Sequence, residues 1–341
     1  MTDSECVSGF CFHGGCAPEG TVLYVRPDGM DGANACTSAT APCRTVAQAL
    51  SLVPSAGGSP TNRRYIKLVA AGLYAESVSL AIDDKHAVVR GPAGEAEAVI
   101  APADNVRIAN NSNVTLEHLT LQRQNAGGII CSNSVLTVDG VRVVDSSTTG
   151  IRAEPCELTV RASVIAHNAG GGVYAEAQRV VLVNNVIVDN GGILSSFGGI
   201  RVSGLLQGSV VQSNTLVGNR AATGQVDGID CNAVSLQLRN NIVFGASGRS
   251  RVGGNCAHDH TLYGPDDPDG RLGTTNGNRA IPDDAAFRFV ATARDDYHIG
   301  AGSVANGAGT TTGLAAEALT DLDGEARPRG ACDVGADEVG D

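Results

Sequence analysis

The feature that most restricts this chain is a repeat of 22 residues. Segments beginning at Thr115 (TLEHLTLQRQ), Thr137 (TVDGVRVVDS), Thr159 (TVRASVIAHN) and Val181 (VLVNNVIVDN) align at that interval. The pattern resumes at Val210 (VVQSNTLVGN) and, less cleanly, at Gln237 (QLRNNIVFGA), each time after an insertion. A period in this range marks a solenoid, in which each unit buries its apolar face against its neighbours. A second column runs in phase with the first. Gly128-Ile129, Gly150-Ile151, Gly172-Val173, Gly199-Ile200 and Gly228-Ile229 each open a short strand behind a polar, Gly-rich turn. Within the first strand of each unit apolar residues alternate, with Leu116, Val138, Val160 and Leu182 in matching places. A period of two is that of a strand with one buried face.

Asparagines recur at the same interval, with Asn185, Asn214 and Asn241 in one turn column and Asn168, Asn190 and Asn219 in another. Stacked identical amides form ladders that stabilise parallel strands, so these residues are assigned to the scaffold. Short strands, Gly-rich turns and a fixed period together predict an all-β, right-handed parallel β-helix, because crossovers between parallel strands are almost always right-handed. Its body is placed at residues 65–262, roughly nine coils, stacked to about 40 Å at about 4.8 Å per coil. Composition agrees. With 44 glycines, no tryptophan and 4% aromatic residues, the core must be built from Val, Ile, Leu and Ala.

Both ends of such a stack expose strand edges and apolar core, and need covers. Thr45 to Val53 (TVAQALSLV) has helical apolar spacing at Val46, Ala49, Leu50 and Val53, with Pro54 behind it. It is read as a short capping helix near 45–53 in an N-terminal cap spanning 21–64, behind a Cys-rich segment at 1–20. After Leu262 the rhythm fades into Asp- and Gly-rich sequence, and 263–341 is assigned as an irregular C-terminal cap.

Ten cysteines without a zinc-ribbon pattern point to disulfides and an oxidising compartment. Cys36 and Cys43 bracket a short loop. Cys131 to Cys156 and Cys231 to Cys256 are each 25 residues apart, slightly more than one coil, which suits staples between neighbouring coils. Of Cys6, Cys11, Cys16 and Cys332, at least one N-terminal member must reach elsewhere, either to Cys332 or to a cysteine outside this sequence. Met1 runs straight into the Cys-rich stretch with no signal peptide and is read as an added start. The formal net charge of -12 speaks against nucleic acid as a partner, since phosphate recognition needs a concentrated cationic footprint. No run of 18 apolar residues is present to span a membrane. P-loop, GxSxG and HExxH motifs are absent.

The stretch LYVRPDGMDGANACTSATAPCRTVAQAL, the segment KLVAAGLYAESVSL, the Asn-rich coils and the tail DDYHIGAGSVANGAG followed by DLDGEARPRGACDVGADE resemble bacterial surface β-helix proteins. The resemblance is to the pectate-lyase-like β-helix family of polymorphic outer-membrane and choice-of-anchor Q type. It covers nearly the whole chain beyond about residue 20. It implies export and a cell-surface or extracellular location. Enzymes of this fold bind polysaccharide along an outward sheet face, using acidic residues with calcium and an arginine that takes the proton beside a uronate carboxylate. Calcium is accordingly the one candidate cofactor. The lyase arrangement itself is not recovered residue by residue.

Strand alternation nominates a surface. If Ile129, Ile151, Val173, Ile200 and Ile229 point inward, then Ile130, Arg152, Tyr174, Arg201 and Asp230 form an outward column, with Glu154 and Glu176 two residues further along. Arg152, Arg201 and Asp230 are the candidate catalytic residues, and Glu154, Tyr174 and Glu176 the candidate substrate contacts. Glu117, Asp139, Arg161, Gln212 and Arg239 make a second candidate face. His258 and His260 flank Asp259, and Asp266 and Asp267 lie in an acidic turn; these are weak metal candidates, because no third fixed ligand accompanies the histidines. Asp321, Asp323, Arg327, Asp333 and Glu338 are read as structural residues of the cap. The expected function is a secreted or cell-surface scaffold that binds polysaccharide or a surface protein. The alternative is a polysaccharide lyase or glycoside hydrolase acting on an extended glycan, the latter needing two opposed carboxylates.

Overall fold

The structure, a computed structural model, describes residues 2–57, 62–92, 97–122, 127–176, 179–204, 208–232, 236–245, 250–264 and 275–339. The chain is a right-handed parallel β-helix in which three parallel sheets run the length of the stack. One coil illustrates the rest. Asn113–Glu117 lies in the first sheet, Thr120–Gln122 in the second and Ile129–Cys131 in the third. The next coil stacks on it in register, Thr115 beside Thr137 and Ile129 beside Ile151. The same columns continue through Thr159, Val181 and Val210, and through Val173, Ile200 and Ile229. Leu116, Val138, Val160 and Leu182 are buried in a single core that extends along the stack.

The corner between the first and second sheets is tight, and its backbone explains the amide columns. Ala162, Asn184, Ser213 and Asn240 have φ between 46° and 56°, the left-handed conformation that lets a chain turn within one residue. Such a corner leaves inward N–H and C=O groups that no strand can pair. The following Asn185, Asn214 and Asn241 satisfy them. Asn214 accepts from the backbone N and Nδ2 of Asn185 at 3.1 and 2.9 Å, and donates to Leu182 O and Asn241 Oδ1 at 2.9 and 3.0 Å. Asn168, Asn190 and Asn219 do the same at the corner leading to the third sheet.

The sheets run past the expected limits of 65–262. Val22–Val25 pairs in parallel with Arg64–Leu68, and Arg279–Ala280 pairs with Leu262–Tyr263. Among the described residues eight coils have all three strands, and the roughly ninth contributes Ala257–Asp259 and Leu262–Tyr263. The capping helix forms at Val46–Ser51 with Thr45 as its N-cap, buries Val46, Ala49 and Leu50 on the end of the core, and receives Glu76 under its first N–H groups.

Four disulfides hold the chain: Cys36–Cys43, Cys131–Cys156 and Cys231–Cys256 as the spacing predicts, and Cys6–Cys16 within the N-terminal segment. Cys11 and Cys332 lie outside these bonds, both buried, so the alternative of a bond from the N-terminal segment to Cys332 is not taken. Burial lifts the Cys332 thiol to about 11.

The terminal segments do more than close the ends. The Cys-rich segment lays Phe10 on Val88 of the first sheet, with the Arg90 guanidinium 4.2 Å from the Phe10 ring centre. In the C-terminal tail, Leu314 and Ala318 cover Val181, Val183 and Val210 of the same sheet. Tyr297 and Phe289, on an antiparallel hairpin, cover Val144, Ala166, Val188 and Val217 of the second sheet. Among the described residues these apolar contacts fall on the first and second sheets. The outer face of the third sheet is the one they leave open.

Candidate functional site

The outward column foreseen from alternation lies on that open face. Ile130, Arg152, Tyr174, Arg201 and Asp230 are consecutive partners across five strands. Parallel pairing spaces them at about 4.8 Å, so side chains two coils apart are still within reach of one ligand. Arg152 Nε donates to Glu154 Oε2 at 2.7 Å, and its guanidinium stands 5.7 Å from the centre of the Tyr174 ring. The Glu154 hydrogen bond holds the Arg152 pKa above its usual value. Tyr174 Oη donates to Glu176 Oε2 at 3.2 Å.

Arg201 is held more tightly. Its Nε donates to Asp230 Oδ2 at 2.8 Å, and Nη2 donates to Ser196 O at 2.6 Å and to Gln225 Oε1 at 3.2 Å. Its guanidinium lies 5.4 Å from the centre of the Phe197 ring, which in turn sits 6.1 Å from that of Tyr174. Phe197 is 3% exposed and packs against Gly171. A Cβ at Gly171 would come within 2.6 Å of the ring, so only glycine leaves room for it. The loop that carries Phe197 also exposes Ile193 and Leu194, at 69% and 92%.

The site therefore brings together all six candidates on one face. The three carboxylates stand dispersed, each held by a donor from its own coil or the next: Glu154 by Arg152, Glu176 by Tyr174 and Asp230 by Arg201. Sequence reasoning missed Phe197, Ser196 and Gln225, which come from insertions that break the 22-residue phase. Their sign in the sequence is the lengthened interval from Asn190 to Gly199, for Ser196 and Phe197, and from Asn219 to Gly228, for Gln225, against the shorter one from Asn168 to Gly172.

The other candidates separate. In the second face, Glu117 pairs with Arg90, Asp139 with Arg161 and Arg239 with Asp259, while Gln212 bonds the tail at Gly313 O and Ala315 N. That face is a ladder of ion pairs partly covered by the tail. His258 pairs with the inward Leu238 and is itself buried, whereas His260 occupies a turn at φ 49° with its Nδ1 2.6 Å from Asp259 Oδ1. The two imidazoles do not share a side, because the corner residue ends the strand alternation. Asp266 and Asp267 lie outside the described residues.

The fold is a right-handed parallel β-helix, with a guanidinium-aromatic strip on the sheet face that the terminal segments leave open among the described residues. The model of the right handed beta helix region family matches residues 104–261. No curated protein matches the chain. Among solved structures, a crystal structure of pectate lyase Pel9A is similar, with a TM-score of 0.39 and 14% identity over 92% of this chain and 95% of that one. Nothing of that enzyme's chemistry is carried over to this chain.

Proposed function

We propose that the protein is an exported β-helix scaffold that binds an extended polysaccharide across the open face of its third sheet. One observation carries the reading: Arg152, Tyr174 and Arg201 are fixed in consecutive coils, with Phe197 behind them and their carboxylate partners already engaged. Aromatic rings and guanidinium groups held in advance on a rigid sheet suit the alternating apolar and hydroxyl surfaces of a sugar chain, because little side-chain entropy is lost on binding. The pairing of each carboxylate favours binding over hydrolysis, which needs two carboxyl groups flanking a scissile bond. Four disulfides support an oxidising, extracellular setting.

The test is a panel of acidic and neutral polysaccharides offered with calcium and with chelator, reading binding, unsaturated-uronate absorbance and new reducing ends. Binding of at least one polymer, weakened about tenfold or more in Tyr174→Ala without any new product, is the expected result; losses of that size match the removal of a buried aromatic contact. Calcium-dependent absorbance that disappears in Arg152→Ala or Arg201→Ala would instead make the protein a lyase. Failure of the folded protein to bind any polymer would retire the carbohydrate reading.

A further inference from the structure

We propose that His298, Asp323 and Asp337 in the C-terminal tail form a binding site for one divalent first-row transition-metal ion. The three residues come from separate places. His298 lies on the strand Asp296–Ile299, Asp323 in a turn, and Asp337 in the final segment. Their ligand atoms all lie within 4.8 Å of one another, and among the described residues no other group of three or more His, Cys, Asp or Glu side chains converges in this way.

The surrounding bonds orient the set. His298 Nδ1 is 2.6 Å from Asp296 Oδ1, and a proton held there leaves Nε2 to face Asp323 and Asp337, where a bound ion would take the place of the Nε2 proton. A carboxylate behind the imidazole is the usual device for orienting a metal-bound histidine. Nε2 stands 2.8 Å from Asp323 Oδ2.

The tail's other carboxylates show what a structural role looks like. Asp321 accepts the N–H groups of Asp323, Glu325 and Glu338, and Asp333 accepts those of Gly307 and Val339. Asp323 differs, since its carboxylate meets only His298 among the described residues. Asp337 is 6% exposed, yet among the described residues one backbone N–H, that of Ile299, is the single hydrogen bond to its carboxylate. A buried carboxylate beside a second one needs a positive charge next to it, which either a protonated His298 or a metal ion on its Nε2 supplies. The side chains of His298 and Asp323 are 36% and 54% exposed, so an ion has a path in. One imidazole nitrogen with two carboxylate oxygens suits zinc, cobalt or manganese; calcium favours all-oxygen sets.

The experiment uses the full chain after treatment with chelator. Calorimetric titration with Zn2+ near neutral pH should give one equivalent, and Co2+ should give a visible absorption band from a nitrogen- and oxygen-ligated ion. Both should weaken at least about tenfold in His298→Ala and in Asp323→Asn, and persist in His167→Ala, which alters a separate His–Asp contact. Zn2+ should also move the His298 imidazole signals in the NMR spectrum of the unmodified protein, a readout that does not depend on any variant folding. Absence of binding, unmoved His298 signals, or affinity unchanged in both His298→Ala and Asp323→Asn would overturn the site.

Discussion

At the scale of single residues, the corner asparagines show how a small polar side chain can be structural in a core of Val, Ile and Leu. Asn214 has no solvent exposure and takes part in two rungs of the ladder at once. Replacing it with alanine strands the backbone N–H of Asn185 and the carbonyl of Leu182. Each buried group left without a partner costs about 1–3 kcal/mol, so Asn214→Ala should lower stability by a few kcal/mol. Denaturant unfolding measures this, and an unchanged midpoint would mean that water replaces the amide at no cost. The column was legible because identical residues recur at the period of the coil. Phe197 was not, since an insertion residue has no repeat to place it, and only the fold shows that its ring lies behind Arg201 and Tyr174.

Among elements, the N-terminal hairpin, in which Cys11–Phe12 pairs antiparallel with Gly15–Cys16, is the clearest case of an added piece held to the helix by charge as well as packing. Asp3 bonds Lys67 Nζ at 2.8 Å, approaches Arg90 Nη1 at 3.4 Å and accepts the N–H of Cys11 at 2.7 Å. Burial alone would raise its pKa, but Lys67, the Cys11 N–H and Arg90 outweigh burial and hold it below the ordinary value. A carboxyl with a depressed folded-state pKa binds fewer protons folded than unfolded. Its stabilising contribution is therefore complete above the usual carboxylate range and is lost as the pH falls through the depressed value. The protection of the Cys11 N–H relative to its intrinsic exchange rate should fall as the pH drops through that value, and Asp3→Asn should show low protection already at neutral pH and lose that acid step. If the variant keeps the same acid transition, another group holds the hairpin.

For the molecule as a whole, the question is what keeps the tail wrapped on two sheets. Arg327 has no side-chain exposure and donates to Glu338 Oε2 at 3.0 Å, Asn184 Oδ1 at 3.2 Å and the carbonyls of Asp333 and Gly335. One guanidinium thus ties the last segment to itself and to a corner of the first sheet. Removing one partner of a buried pair costs about 3–5 kcal/mol, so Arg327→Met should release the tail. Limited proteolysis should then cut within 289–339 while the coils stay resistant, and Arg327→Met combined with Glu338→Gln should recover part of the protection. Equal resistance of variant and parent would show that Tyr297, Phe289 and their apolar contacts suffice. The tail motif was read in sequence as structural, which holds for Asp321, Arg327, Asp333 and Glu338; Asp323 departs from them by its partners alone.

The coil, its register and its inward residues were determined by the sequence itself, because a period of 22 and an alternation of two are local patterns that survive without knowledge of neighbours. Thr115, Thr137 and Thr159 had to stack once Leu116, Val138 and Val160 had to be buried. Which outer face stays open was decided only by the tertiary structure. Runs such as Val180–Val183 are apolar on both sides, which marks a strand covered on both faces but does not say by what. The cover comes from Leu314 and Ala318, more than 100 residues later, and contacts of that range leave no periodic trace. The same holds for His298, Asp323 and Asp337, which the chain brings together only after the tail has folded back along the helix.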